Sequence, residues 1–335
     1  MGANTNISWT DATWSPVTGC TPVSEGCANC YAARYAKRHL GDFAPGPWQV
    51  ISAKDKYREL RMFSEVRCHP DRLEVPLHWK TPRRIFVCSM GDLFHEQVSA
   101  QFQEQVFRTM ISAPQHTFQI LTKRPEVMLR RVPIIMNRIL GFPESWTMPK
   151  NIWLGVTAEN QARADERIPL LLKTPAAVRF VSIEPMLGPI NLFGDGSDAQ
   201  DWTCNGPDCK QACINWIICG GESGPGARPM KIEWARSLRE QCQAAGVPFH
   251  LKQLGEWVSS GIKPDRAGTE QLGDFCFAAD IGKLYATKLQ KQPGKYHMMP
   301  DGEIMVRVGK KKAGRLLDGR EWLEFPENSQ NSKQN

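Results

Sequence analysis

No apolar run in the sequence comes near the ~18 residues a membrane helix needs; stretches such as Ile168 to Leu172 are short and flanked by charge. A bilayer span is therefore not expected. The opening residues, Met-Gly-Ala-Asn-Thr-Asn, lack the apolar core of a secretory signal, and Asn6 stands where a myristoylation site wants Ser or Thr. The expected location is the cytoplasm, with no membrane partner. Internal repeats and low-complexity tracts are missing too, which removes solenoids and repeat arrays from consideration.

What is present is the composition of an ordinary globular chain. At 335 residues, 41% hydrophobic, 23% charged and a mean hydropathy of −0.41, it has room for two domains or one large barrel. Forty-two Lys and Arg against 35 Asp and Glu leave a net charge of +7 and a pI near 8.8, a bias that suits contact with a polyanion. The cysteines number 11. Without an export signal, an odd set of this kind points to metal ligands or buried apolar residues rather than disulfides.

Short β-branched or aromatic runs recur along the chain: Ile85 to Ser89, Phe118 to Thr122, Ile152 to Thr157, Arg179 to Ile183, Trp216 to Gly220 and Phe249 to Leu254, with an earlier candidate at Ile7 to Trp14. Helical patterns fall between several of them, at Ala100 to Ser112, Ala162 to Leu172 and Glu233 to Ala245. Strand then helix, repeated, is the signature of a parallel sheet. The expected fold is an α/β chain forming a partial or complete (β/α) barrel over residues 1–257, with a cysteine-containing insert at 194–215. A small extension at 258–326 carries a β-hairpin across Asp301-Gly302 and a basic stretch, Lys310 to Arg320; 327–335 reads as a disordered tail.

Each strand closes on polar or ionisable groups: Ser89 to Asp92, Thr122 to Arg124, Thr157 to Asn160, Ser182 to Pro185, Gly220 to Ser223, and Lys252-Gln253. In a parallel barrel the carboxyl ends of the strands open on one face, so these groups are expected to meet at one site. Directly after the first strand, Cys20, Cys27 and Cys30 form C-x6-C-x2-C in one short loop. Three thiolates fall one short of a structural zinc set, and His39 lies in a helical segment. They suit a four-iron cluster that leaves one iron open, with zinc or simply packed cysteines as the other readings. Cys204, Cys209 and Cys213, in the insert, could hold a second Fe–S cluster or zinc, or remain free.

A three-cysteine loop after the first strand of a βα barrel is the arrangement of radical S-adenosylmethionine (radical-SAM) enzymes. More closely, the chain resembles a phage and bacterial family of uncharacterised three-Cys-motif proteins, usually described as radical-SAM-like. The likeness rests on Trp14 to Cys20, Cys27-Ala-Asn-Cys30, Ser89 to Phe94, Leu121 to Pro125, Gly155 to Glu159, Ser182 to Met186, Gly220 to Pro225 and Gly314 to Gly319. The wider radical-SAM pattern spaces its cysteines C-x3-C-x2-C with an aromatic before the last; here the first gap is six, Asn29 holds that place and Tyr31 follows. The resemblance implies a [4Fe-4S] cluster on Cys20, Cys27 and Cys30, S-adenosyl-L-methionine on its open iron, and an electron donor such as flavodoxin or ferredoxin. By position, Ser89, Gly91 and Asp92 would meet the ligand ammonium, Lys123 or Arg124 its carboxylate, and Thr157, Glu159 and Glu184 its ribose. Glu222, Arg228 and Lys252 are left for the substrate.

Charge, 11 tryptophans and the lysine run make nucleic acid or a nucleotide the expected substrate class. Two other readings use the same residues: a non-catalytic, zinc-stapled nucleic-acid-binding protein, and a metal-independent hydrolase with Asp92, Glu159, Glu184 and Glu222 as acid and base.

Overall fold

The computed structural model describes residues 5–39, 63–141, 146–193, 202–203, 213–260 and 294–326. In chain order its strands are β1 (Ala12–Trp14), β2 (Val17–Thr18), β3 (Arg67–Cys68), β4 (Arg84–Val87), β5 (Thr117–Thr122), β6 (Ile152–Thr157), β7 (Val178–Ile183), β8 (Trp216–Gly220), β9 (Phe249–Gln253), β10 (Trp257–Ser259), β11 (Tyr296–Met298) and β12 (Ile304–Arg307). The helices are α1 (Tyr31–His39), α2 (Ala100–Ile111), α3 (Pro125–Leu140), α4 (Gln161–Lys173), α5 (Ile232–Ala244) and the single turn α6 (Lys310–Ala313). Seven strands pair in parallel in the order β1-β4-β5-β6-β7-β8-β9, a sheet curled into a half-barrel. Among the described residues no helix is long and apolar enough to cross a membrane.

Alternation along each strand sorts two faces. In β6, Ile152, Leu154 and Val156 turn to the helices and join the main core, while Trp153 turns to the concave side. The floor of that concave side is aromatic: Trp9, Phe86, Trp153, Phe180 and Trp216 are all buried and stack edge-on or tilted against one another. Helix starts are fixed locally, by the Ser99 hydroxyl accepting from the Phe102 N–H at α2 and by Asn160 accepting from the Arg163 N–H at α4.

The strands at Ile152 and Trp216 begin and end where the apolar runs do. The first strand does not. Only Ala12–Trp14 pairs with β4, because Ile7 and Trp9 fold beneath the barrel and plug its floor. Among the described residues, the connection from β7 to β8 carries no helix. The expected hairpin is present as β11 and β12, with β10 on its other side. Past α6 the chain comes back under the barrel along β9: Leu251 N–H donates to the Trp322 carbonyl (2.8 Å), and the Trp216 indole N–H donates to that of Glu324 (2.9 Å). This stretch belongs to the barrel's own core, not to an appendage.

His250, wholly buried in the floor, has its Nε2 2.8 Å from the Ser8 hydroxyl, and burial pushes its pKa down to about 3. From about pH 6.5 downward the unfolded chain takes up a proton that the folded one refuses, so stability falls as pH falls towards 3. That share amounts to as much as ~1.4 kcal/mol per pH unit. Urea titrations from pH 4 to 7 should therefore show a flatter pH dependence for His250→Gln than for the wild type; parallel curves would remove His250 from the acid response.

A three-cysteine loop clamped by strand ends

The loop from Gly19 to Cys30 crosses the carboxyl end of the half-barrel. Gly19 has φ +87°, and a Cβ there would collide with the Glu65 carbonyl, so only glycine lets the chain leave β2 at this angle. Gly91 packs against it, its own Cβ position 2.9 Å from the Val17 carbonyl; its part is close packing of the loop's root. Cys20, Cys27 and Cys30 are free and half-buried. Cys20 and Cys30 rest on an apolar patch of Ala32, Ala33, Phe63 and Met90.

The ends of β4, β5, β6 and β8 grip this loop. From the end of β5 comes Arg124, placed at the cap of α3 by Pro125 in the first helical position. It is buried, and its five N–H donors are all engaged: Glu96 (3.0 Å), Asp92 (3.3 Å), the Cys20 sulfur (3.3 Å), and the carbonyl (3.0 Å) and hydroxyl (2.8 Å) of Thr21. Burial opposes its charge, yet Asp92, Cys20 and Glu96 hold its pKa above the usual value. Burial, with the Asp92 charge, pushes the Cys20 thiol up to about 12 despite Arg124. Asp92 also accepts from the Phe94 N–H, the Thr122 hydroxyl and the Lys123 N–H, so its oxygens are taken by protein donors.

At the end of β6, Glu159 is fully buried. Oε1 accepts from the Gly26 N–H (3.1 Å) and Oε2 from Arg167 (3.0 Å), which also reaches the Thr157 carbonyl (2.9 Å). Asn160 binds Glu25 beside it. At the end of β8, Glu222 accepts from Asn29 (2.9 Å) and from Arg228 at three donors, while Arg228 also donates to the Glu25 carbonyl (3.0 Å). Burial pushes the Glu222 carboxyl up, but the Arg228 and Asn29 hydrogen bonds outweigh it and hold the pKa below the usual range. Arg34 on α1 closes the ring through the Asn29 side-chain oxygen (2.9 Å). From the end of β4, the Ser89 carbonyl accepts the Tyr31 hydroxyl (2.6 Å).

Asp92, Arg124, Glu159, Glu222 and Arg228, expected to face a ligand, thus brace the cysteine loop. The other expected groups stay on the concave wall. Thr157 and Ser182 sit opposite each other in register, and neither hydroxyl has a hydrogen-bond partner among the described residues. Glu184, on the same face two residues beyond Ser182, pairs with Lys252 (3.0 Å) and accepts from Gln253 (3.1 Å). Gly155 and Gly220 keep the wall low; a Cβ at Gly155 would lie 2.6 Å from the Phe180 ring. Lys123 is half-exposed at the rim and has no ion-pair partner among the described residues. Tyr31 stands at the opening, exposed to solvent over about half its surface; desolvation of its hydroxyl, with the charges of Cys30 and Glu184, raises its pKa.

Among the described residues no three His, Cys, Asp or Glu side chains share a position for one metal ion. A lone tetrahedral zinc needs its sulfurs within about 4 Å of each other, whereas a four-iron cube takes thiolates at separate corners, spaced more widely. The donor chemistry fits the latter: three free thiols, an apolar bed and an N–H donor on one sulfur. Of the second cysteine group, Cys213 is buried and disulfide-bonded, while Cys204 and Cys209 lie outside the described residues.

Gly26→Ala tests the clamp at its tightest point, because a Cβ would fall 2.8 Å from Glu159 Oε1. Overpacking of this kind costs about 1–3 kcal/mol, read as a lower urea midpoint. An unchanged midpoint would mean the loop has slack there.

Fold and site together define an α/β half-barrel protein with a three-cysteine loop fastened over its mouth. The chain belongs to the family described as "Protein of unknown function (DUF5131)", whose model matches residues 4–326. No curated protein and no solved structure matches it.

Proposed function

We propose that the chain is a radical-SAM enzyme in which Cys20, Cys27 and Cys30 hold a [4Fe-4S] cluster, acting on nucleic acid or a nucleotide. The observation that carries this reading is the investment of four strand ends, β4, β5, β6 and β8, in fixing one loop of three free thiols over the barrel mouth. The chemistry such a cluster supplies when bound is one-electron reduction of S-adenosylmethionine, with methionine released and hydrogen taken from a substrate by the 5′-deoxyadenosyl fragment. A flavodoxin or ferredoxin would provide the electron.

The chain's own residues would divide the work. Arg124 keeps Cys20 and Thr21 in place, and its N–H on the sulfur disperses thiolate charge. Lys123, with no ion-pair partner among the described residues, is a cation suited to a carboxylate. Thr157 and Ser182 present hydroxyls for ribose, and Glu184 with Lys252 offers both an acceptor and a donor on the same wall. Net charge +7 supports an anionic substrate class.

The hydrolase reading needs two free carboxyls, and Asp92, Glu159 and Glu222 are each held by an arginine. The zinc-stapled reading accounts for the cysteines but gives no work to Thr157, Ser182, Glu184 and Lys252 on the concave wall. Anaerobic reconstitution, chemical reduction and chromatography of the products separate the three. The expected products are 5′-deoxyadenosine and methionine, formed slowly without substrate. S-adenosylhomocysteine as sole product would indicate methyl transfer, zinc alone in the purified protein the stapled fold, and no metal at all the hydrolase.

A further inference from the structure

The basic stretch lies at the same end of the barrel as the cysteine loop, a neighbourhood its sequence position does not reveal. The Val308 and Gly309 N–H groups donate to the Glu256 carbonyl (2.9 and 3.0 Å), just past β9, and the Leu254 N–H donates to Gly314 (3.0 Å), so α6 is pinned at both ends to the carboxyl end of β9. Glu256 in turn accepts from the Gly224 N–H (2.9 Å), and Arg307 donates to the Gly224 carbonyl (2.8 Å). The 221–230 loop containing Gly224 is the one that Asn29 of the cysteine loop grips at Gly226 (2.8 Å).

Two cations of the stretch are engaged, Arg315 with Glu321 (2.8 Å) and Arg320 over the Trp322 ring (4.2 Å). Lys310, Lys311 and Lys312 are different. All three are exposed, α6 buries none of its residues, and among the described residues none of the three has an ion-pair partner. Three ammonium groups without an ion-pair partner among the described residues, on a short turn held beside the mouth, form a positive edge. Lysine binds phosphate as a point charge, and a run of such charges matches a phosphodiester backbone.

We propose that Lys310, Lys311 and Lys312 are the phosphate-docking edge by which nucleic acid is presented to the barrel mouth; this rests on the nucleic-acid reading given above. The test uses the full chain, a fluorescein-labelled duplex DNA and a single-stranded DNA, with anisotropy titrations over a range of salt. Lys310→Gln/Lys311→Gln/Lys312→Gln is compared with Lys80→Gln/Lys150→Gln/Lys173→Gln, which removes the same charge from exposed positions at the amino end of the barrel. The α6 variant should bind at least about tenfold more weakly at low salt, and the slope of log K against log salt should shrink by about 0.9 for each lysine that neutralises a duplex phosphate. The control variant should keep the wild-type slope, and both should melt like wild type because exposed lysines contribute little to stability. Equal slopes for wild type and α6 variant, or equal losses in both variants, would overturn the docking edge while leaving the substrate class standing. A wild-type protein that binds neither DNA would overturn both.

Discussion

Replacing Cys20, Cys27 and Cys30 together by Ala should strip the anaerobically purified protein of iron, acid-labile sulfide and the absorbance near ~400 nm that thiolate-bound iron–sulfur clusters give. The three thiols are half-buried and free, so removing their sulfurs opens little core and the chain should still fold. Iron and sulfide quantitation with a thermal melt checks both statements. Unchanged iron and sulfide in a folded triple variant would sink the cluster assignment, whatever products the wild type forms.

The second large effect belongs to Glu159 and Arg167, a pair with essentially no solvent access, joined at 3.0 Å. Glu159→Ala leaves the Arg167 guanidinium buried without its counter-charge, at a cost of about 3–5 kcal/mol. Glu159→Leu combined with Arg167→Met removes both charges and should recover much of that loss, since apolar replacement of a whole buried pair is often neutral. Stability and site then part company: the double variant still lacks the acceptor for the Gly26 N–H, so it should retain less iron than its urea midpoint would suggest. A Glu159→Ala protein within about 1 kcal/mol of wild type would refute the brace.

Much of the fold was legible because parallel strands covered on both faces are written as continuous apolar runs. Ile152 to Thr157 and Trp216 to Gly220 are bounded in the structure as in the pattern. Ile7 and Trp9 carry the same apolar signal but serve the floor of the barrel, and periodicity cannot tell a strand from a plug. The site was legible in location more than in role. Polar groups do gather at the strand ends, yet a carboxylate awaiting a ligand and one already held by an arginine are the same letter. Glu159 meets Gly26 across 133 positions and Asn29 meets Glu222 across 193, and no local spacing reports such partnerships. Arg167, Tyr31, Thr21 and His95, whose Nε2 lies 2.9 Å from the Thr21 hydroxyl, were missed for that reason. Asn29 did leave a trace: it occupies a place where an aromatic is usual, and the structure uses its amide to join Glu222, Gly226 and Arg34.

The return of the chain beneath the barrel bears on how the molecule is made. Trp216 packs against Trp9 from one end of the described chain and against Phe325 from the other, and Phe325 lies under the Arg84 guanidinium (4.2 Å). Trp322 and Phe325 are made well after β9, so the exposed edge of β9 and the aromatic floor wait uncovered until that later stretch emerges. The half-barrel therefore completes its core only once that stretch is in place, and a chain cut short before residue 322 is left with a sheet whose open edge is a template for aggregation.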